Sequence, residues 1–222
     1  MPKKVTLIAS TQSHVEGINT SEELLVYIAR VSNPENQMNT ATGANLLRYC
    51  IKQQHWSVFE QVDITLELKT TRAIGAQLLR HRSFTFQEFS QRYSRVTERT
   101  YPQMRNVSIN GNRQSSSEPV CAGIQHVADQ AITRAYEAYD ELIEAGVAPE
   151  TVRGVLPSSA PTTIYMKGNL RSWITYLMVR LEFHTQLEHR ELAEEIWSVI
   201  KSQFPEGSEA LRVTNEVFTR EV

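Results

Sequence analysis

Between Arg80 and Arg105 the chain carries six arginines, Arg80, Arg82, Arg92, Arg95, Arg99 and Arg105, opposed in that stretch only by Glu88 and Glu98. Phe84, Phe86, Phe89 and Tyr93 are threaded among them. A guanidinium is a planar fork whose N–H groups match phosphate or carboxylate oxygens in pairs. Aromatic neighbours brace that fork, so less freedom is lost when it grips an anion. A solvated charged loop is the commoner fate of an arginine pair. The interleaved aromatics, and the position just beyond a helical stretch, favour a binding segment instead. Glu88, a carboxylate among cations, suits a ribose hydroxyl or a base N–H.

A small phosphorylated ligand and a nucleic acid strand would both suit such a segment. Polynucleotide binding predicts net basicity or a wide basic stripe, whereas the formal net charge here is -2. A mononucleotide or a flavin phosphate is the better match. Nucleophilic chemistry has little support. No Ser-His-Asp arrangement is legible around Ser90. Of the two cysteines, Cys50 and Cys121, Cys50 falls on an apolar helical face and reads as a small buried hydrophobe. His184 with Glu188, and Glu191 with Glu195, have the spacing of a metal pair, but no third ligand follows, so no metal is expected. His55, beside Trp56 and Phe59, reads equally as a hydrogen-bonded histidine at a core edge or as a proton relay.

These residues must be positioned by a modest set of elements. Thr20 and Glu23 stand at capping-box spacing ahead of Leu24, Ile28 and Val31, predicting a helix over 20–31 that ends in the loop 32–36. A second helix is predicted over 43–54. Val62, Ile64, Leu66 and Leu68 alternate with Asp63, Thr65 and Glu67, the pattern of a half-buried strand. A helical pattern over 71–82 delivers Arg80, His81 and Arg82 at its exit. Residues 106–117 are polar, with the turn pair Asn110-Gly111, and read as a mobile surface excursion. Ser117-Glu118-Pro119 reads as a helix start, leading into an amphipathic run through Ile124, Val127, Ala131, Ala135, Leu142 and Ile143. A short helix over 150–156 stops at Pro157, and 162–166 is extended. Asn169 is placed to cap a helix over 170–181. Thr185 and Glu188 form a second capping box before a helix through Ile196, Ile200 and Phe204.

The chain has 222 residues, 41% of them hydrophobic, enough for one ample core. There is no internal repeat and no convincing linker, so a single α+β domain over 1–222 is expected. No apolar run reaches the roughly 18 residues needed to cross a bilayer. The patch Val5–Ala9 is too short for a signal-peptide core, and a cytoplasmic protein is expected.

The arginine segment then supports a specific resemblance. Arg80-His81-Arg82, seven residues, and Ser90, within Arg80-His-Arg-Ser-Phe-Thr-Phe-Gln-Glu88-Phe-Ser90-Gln-Arg92-Tyr93-Ser94, resembles the motif of the flavin-dependent thymidylate synthases. Supporting pieces stand in the same order: Ala29-Arg-Val-Ser32, His55-Trp-Ser57-Val-Phe-Glu60, Gln77, Arg153-Gly-Val-Leu-Pro157, Asn169-Leu-Arg171-Ser172, Arg180 and Gln186-Leu-Glu188. The resemblance covers roughly residues 20–205.

It implies a curved, mostly antiparallel sheet packed with helices, and a homotetramer whose sites are shared between subunits. The implied reaction methylates dUMP to dTMP, with methylenetetrahydrofolate as carbon donor and NADPH-reduced FAD as hydride source, and needs no cysteine nucleophile. By position, Ser32, Ser57, Arg80, His81, Arg82, Glu88, Asn169, Leu170, Arg171, Thr175 and His184 are implied at FAD. Gln77, Leu78, Leu79, Arg80, Glu88, Phe89, Ser90, Gln91, Arg92, Arg153 and Arg180 are implied at dUMP. Arg180 is the implied catalytic cation, stabilising negative charge that develops on the pyrimidine, and His55 the implied proton relay near the flavin. Ser90 is implied as a ligand contact. The sequence departs from the family pattern at Gln61, where histidine is common, at Gln87 for asparagine, at Thr175 for asparagine or histidine, and at Thr185 for alanine. Two rival readings stand beside this one: a flavoprotein with other or no catalysis, and a nucleic-acid module built on the arginine–aromatic loop.

Overall fold

The strand expected from strict alternation is the centre of the molecule. In the computed structural model, which describes residues 4–107 and 116–205, it forms β2 (Asp63–Thr71). Ile64, Leu66 and Leu68 are buried on one face. It is flanked by β1 (Val5–Ser10) and β6 (Pro161–Asn169), with β3 (Thr85–Glu88) outside β6, so the order is β1-β2-β6-β3. Every pairing is antiparallel. Ile64 faces Gly168, Leu66 faces Met166 and Leu68 faces Ile164, which stacks the inward rows on one side as a period of two requires. The other side is wet: Lys167 pairs with Asp63 at 2.9 Å, and the Tyr165 hydroxyl donates to Glu67 at 2.8 Å. Mixed helix and antiparallel sheet, the sheet open at both edges, is the class expected.

Helices cover the apolar face. The first, α1 (Ser21–Ala29), has the predicted capping box: Thr20 accepts from the Glu23 N–H, and Glu23 accepts from the Thr20 N–H. Next come α2 (Gly43–Lys52) and α3 (Arg72–Leu78), the latter capped by the Thr71 hydroxyl. Later are α4 (Ala122–Glu144), α5 (Pro149–Val152), α6 (Leu170–Arg180) and α7 (Leu187–Gln203). Asn169 caps α6 as expected, accepting from the Ser172 N–H at 2.9 Å. The main core gathers Leu25, Leu47, Phe59, Trp173, Tyr176, Ile196 and Phe204 against the sheet. A smaller cluster of Val96, Tyr136, Tyr139, Val152 and Ala160 lies under α4. Among the described residues no helix is long and apolar enough to cross a membrane.

Four expectations are corrected. Ser117-Glu118-Pro119 does not start a helix. Residues Ser116–Pro119 form β5, paired with β4 (Arg105–Val107), and α4 starts at Ala122. Pro119 sits at the end of this edge pairing, where its missing N–H leaves no ladder bond unmade. The turn Asn110-Gly111 lies outside the described residues. The helix over 71–82 stops at Leu78, so Arg80, His81 and Arg82 follow it in a turn. The second capping box is absent: Thr185 donates to the Val179 carbonyl at 3.1 Å, and α7 begins only after Gln186. Finally, Ile124 and Val127 are exposed. The buried side of α4 is carried by Tyr136 and Tyr139 instead.

Candidate active site

Phe84 anchors the segment that leaves α3. It is buried, with its ring 4.7 Å from Trp173 and 6.1 Å from Tyr176, centre to centre. It lies so close over Gly168 that a Cβ there would meet the ring at 2.5 Å. Only a glycine in β6 leaves room for it. One more close approach holds α3 itself, since a Cβ on Gly75 would stand 3.1 Å from Ile164. His81 and Arg82 are thereby fixed between a buried aromatic and the end of a helix.

His81 is half-buried, edge-on to the Tyr176 ring at 4.9 Å. The Arg180 Nε–H donates to its Nε2 at 3.0 Å. A guanidinium has no acceptor, so His81 is the neutral tautomer with its proton on Nδ1. Burial first, then the Arg180 charge, pushes its pKa below the usual histidine value. The two residues belong to distant elements, yet share one corner where the ends of α3 and α6 meet the start of α7.

Behind them runs a continuous polar chain. Tyr176 Oη lies 3.1 Å from His189 Nε2, and His189 Nδ1 lies 3.0 Å from Gln77 Oε1. Gln77 Nε2 donates to Gln186 Oε1 at 2.7 Å, and Gln186 Nε2 donates to Glu188 at 3.0 Å. Glu188 is paired with Arg105 of β4 at 2.7 Å. Both His189 and Tyr176 are fully buried. Burial, aided by the charge of Arg180 and by His81, pushes the His189 pKa down to about 3.

The cationic patch is largely neutralised by carboxylates from elsewhere in the chain. Arg92 pairs with Glu150, Arg95 and Arg99 share Asp140 at 2.7 Å each, and Arg105 pairs with Glu188. Counting only neighbours in sequence overstated the free charge, because the partners come from α4, α5 and α7. Among the described residues Arg80 and Arg82 meet no carboxylate. Glu88 is held by neither. It pairs with Arg72 at 2.5 Å and accepts from Thr162 at 2.8 Å.

The remaining expected positions spread around this corner. Leu78 is buried, Leu79 exposed, and Phe89 and Ser90 form an exposed turn in which Ser90 accepts from the Tyr93 N–H. Gln91 is buried, with its Nε2 meeting no hydrogen-bond partner. Arg153 is exposed and donates to the Glu150 carbonyl beside Arg92. Asn169, Leu170 and Arg171 occupy the other end of α6, about 14–16 Å from Arg180 at 1.5 Å per residue, and Thr175 stands midway along it, about 7–8 Å from Arg180. Arg171 is paired with Glu60, Leu170 is buried, and Thr175 donates to its own helix. Ser32 and Ser57 are exposed. His55 is exposed, edge-on to Tyr49 at 5.9 Å. His184 lies between α6 and α7 with its ring against Phe183. One chain thus brings Gln77, His81 and Arg180 together, but not the positions at the far end of α6.

Tyr176, His189 and Arg72 were missed from the sequence as parts of the site, while Arg105 and Gln186 stood out only as an arginine of the patch and a piece of the motif. A signal existed for His189. With Leu192, Ala193 and Ile196 it has the i, i+3, i+4, i+7 spacing of the buried face of α7, so a histidine there needed polar partners.

The donor set fits a flavin nucleotide and a nucleotide substrate: two guanidiniums that meet no carboxylate among the described residues, the Nδ1–H of His81, and the buried amide of Gln91. Comparison with known proteins agrees. The model of the family described as thymidylate synthase complementing protein matches residues 12–206. A probable flavin-dependent thymidylate synthase of Paramecium bursaria Chlorella virus 1 is 47% identical over 92% of this chain and 97% of its own length. A flavin-dependent thymidylate synthase of Synechocystis sp. is 43% identical over 86% and 89%. The crystal structure of PolB, a UMP/dUMP methylase of Streptomyces cacaoi bound with 5-Br dUMP, superposes with a TM-score of 0.76 at 25% identity, covering 94% of each chain. With the family model matched over most of the chain and relatives of 43–47% identity aligned along nearly their whole length, this chain belongs to the thymidylate synthase complementing proteins, a family whose relatives here are flavin-dependent thymidylate synthases.

Proposed function

We propose that this chain catalyses the reductive methylation of dUMP to dTMP with bound FAD, taking the one-carbon unit from methylenetetrahydrofolate and reducing power from NADPH. The observation that carries the reading is the Arg180–His81 pair at the exit of the Arg80-His81-Arg82 turn. His81 takes the Arg180 Nε–H and leaves the terminal nitrogens of that guanidinium for a ligand. In this reading they meet the pyrimidine, where a fixed cation stabilises negative charge spreading from C5 as the new carbon–carbon bond forms.

FAD would be held by Arg80, Arg82 and the Nδ1–H of His81, with Ser32, Ser57, Glu88, Asn169, Leu170, Arg171, Thr175 and His184 as further contacts. When bound and reduced, it supplies the two electrons as hydride. The turn Phe89–Arg92 and Arg153 grip dUMP, with Gln91 placing its unpartnered amide on the nucleotide. Gln77, Leu78 and Leu79 line the same site. Ser90 donates a hydrogen bond and makes no covalent bond. His55 relays protons near the flavin. This reading needs no cysteine nucleophile, and Cys50 is a poor one: burial raises its thiol pKa, and a thiolate is the form that attacks.

The working unit in this reading is a cytoplasmic homotetramer. The separation between the two ends of α6, and the exposed Ile124 and Val127 on α4, support sites completed by neighbouring subunits. A nucleic-acid module is less well supported, because four of the six arginines already have carboxylate partners.

The deciding experiment measures tritium release from C5-labelled dUMP by the purified, FAD-loaded protein with methylenetetrahydrofolate and NADPH under anaerobic conditions. Release that depends on both co-substrates is expected. A yellow protein that bleaches with NADPH but releases no tritium would leave only the silent flavoprotein. A protein that takes up no FAD and binds single-stranded nucleic acid with steep salt dependence would be the module.

A further inference from the structure

Gln77 sits between two fully determined neighbours, and the polarity of the whole chain of hydrogen bonds follows from its outer end. Glu188 is half-buried. Burial works to raise its pKa, but hydrogen bonds from its own backbone N–H, from Arg105 and from Gln186, together with the Arg105 charge, outweigh this and lower it. An ionised carboxylate only accepts. The group that Gln186 turns towards Glu188 must therefore be its NH2, whichever way the amide is drawn, so its oxygen faces Gln77. Gln77 must then present its own NH2 to Gln186 and its oxygen to His189. His189 has to donate from Nδ1, which leaves Nε2 as an acceptor for the Tyr176 hydroxyl. Five side chains drawn from α3, α6, α7 and the turn before α7 are locked into one direction by one charge, anchored from β4 by Arg105.

Resting on the reading that Gln77 meets dUMP, we propose that His189 is a positioning residue. With Tyr176 behind it, and Gln186 and Glu188 in front, it holds the Gln77 carboxamide in a single orientation towards the nucleotide. A carboxamide has two flips of nearly equal shape and opposite hydrogen-bond sense. In the chain described here one N–H and one carbonyl lone pair of Gln77 are engaged, leaving one of each for a ligand. Fixing the flip before the substrate arrives removes the cost of choosing it on binding. Arg105 gives the β4–β5 hairpin a role in this, since its guanidinium reaches Glu188 rather than solvent and is itself largely buried. His189 touches neither reacting atom in this scheme and acts only through Gln77.

Histidine tautomers are distinguished directly by 15N NMR, and the FAD-loaded protein needs no substrate for that measurement. The expected spectrum shows His189 neutral with its proton on Nδ1 at pH 6. An Nε2–H tautomer, or an imidazolium, would overturn the proposal. Glu188→Gln replaces the acceptor-only end with a group that turns either way. It is expected to yield both His189 tautomers and to weaken dUMP binding about tenfold, the loss of roughly one well-placed hydrogen bond. An unchanged tautomer with unchanged dUMP affinity in that variant would also overturn it. His189→Leu should raise KM for dUMP more than it lowers kcat, and His189→Asn, which keeps a donor and an acceptor, should recover part of the loss. Equal loss in both variants would leave His189 as packing alone and defeat the proposal. If the parent protein binds no dUMP, the functional reading fails, while the NMR spectrum still decides the polarity of the chain.

Discussion

Arg180 and His81, 99 residues apart in the chain, share a hydrogen bond of 3.0 Å from Nε to Nε2. The bond fixes the tautomer of one and the orientation of the other. Arg180→Ala should therefore lower kcat by on the order of 10²–10³-fold, the usual loss when a fixed group that stabilises developing charge is removed. The protein should stay folded and retain FAD. Steady-state tritium release alongside the flavin absorbance measures both, and a variant turning over at the parent rate would refute the assigned role.

Arg92 stands at the rim, with Glu150 3.4 Å away and both side chains more than half exposed. That exposed pair contributes little to stability. Arg92→Ala should leave the unfolding midpoint unchanged while weakening dUMP binding by about 1.5–3 kcal/mol for a lost charge-assisted bond. Calorimetric titration of dUMP into parent and variant gives the comparison.

Gly168 is needed for space. An added Cβ would lie 2.5 Å from the Phe84 ring, and Phe84 is wedged against Trp173 and Tyr176. Gly168→Ala should cost about 1–3 kcal/mol, as overpacking does, and displace the His81 turn. Urea unfolding reads the first effect, and weakened FAD binding the second. Equal stability of parent and variant would show that the ring has another place to go.

His189 predicts a pH dependence of stability. Its folded pKa is pushed down to about 3 from an unfolded value of 6.5. Between those values the unfolded chain binds the extra proton and the folded chain does not. Stability is therefore undiminished above about pH 6.5 and lost as pH falls, at up to about 1.4 kcal/mol per pH unit from this group. His81, also lowered, acts in the same direction. The stability difference between parent and His189→Leu should accordingly shrink on going from pH 7 to pH 4. A difference independent of pH would show that His189 titrates normally in the folded protein.

The sequence alone determined the elements whose signals are local. Alternation at Val62–Leu68 marked the central strand. Thr20 with Glu23, and Asn169, marked helix starts through hydrogen bonds that close within three residues. The arginine motif was legible because its residues are contiguous, and its family resemblance agrees with the family comparison. Where the local signal was ambiguous, long-range pairing decided. Ser116–Pro119 became a strand because β4 was there to pair with it, and Thr185 lost its capping role to the Val179 carbonyl.

Tertiary structure alone decided which charges are free. Asp140, Glu150 and Glu188 neutralise arginines 41 or more positions away, a distance no local charge count can see. It also joined His81 to Arg180, and His189 to Gln77 and Tyr176, because these helix ends, far apart in the chain, meet only in the packed fold. Hydrogen-bond partners follow from proximity in space, which the hydrophobic pattern specifies for whole elements but not for the polar groups at their ends.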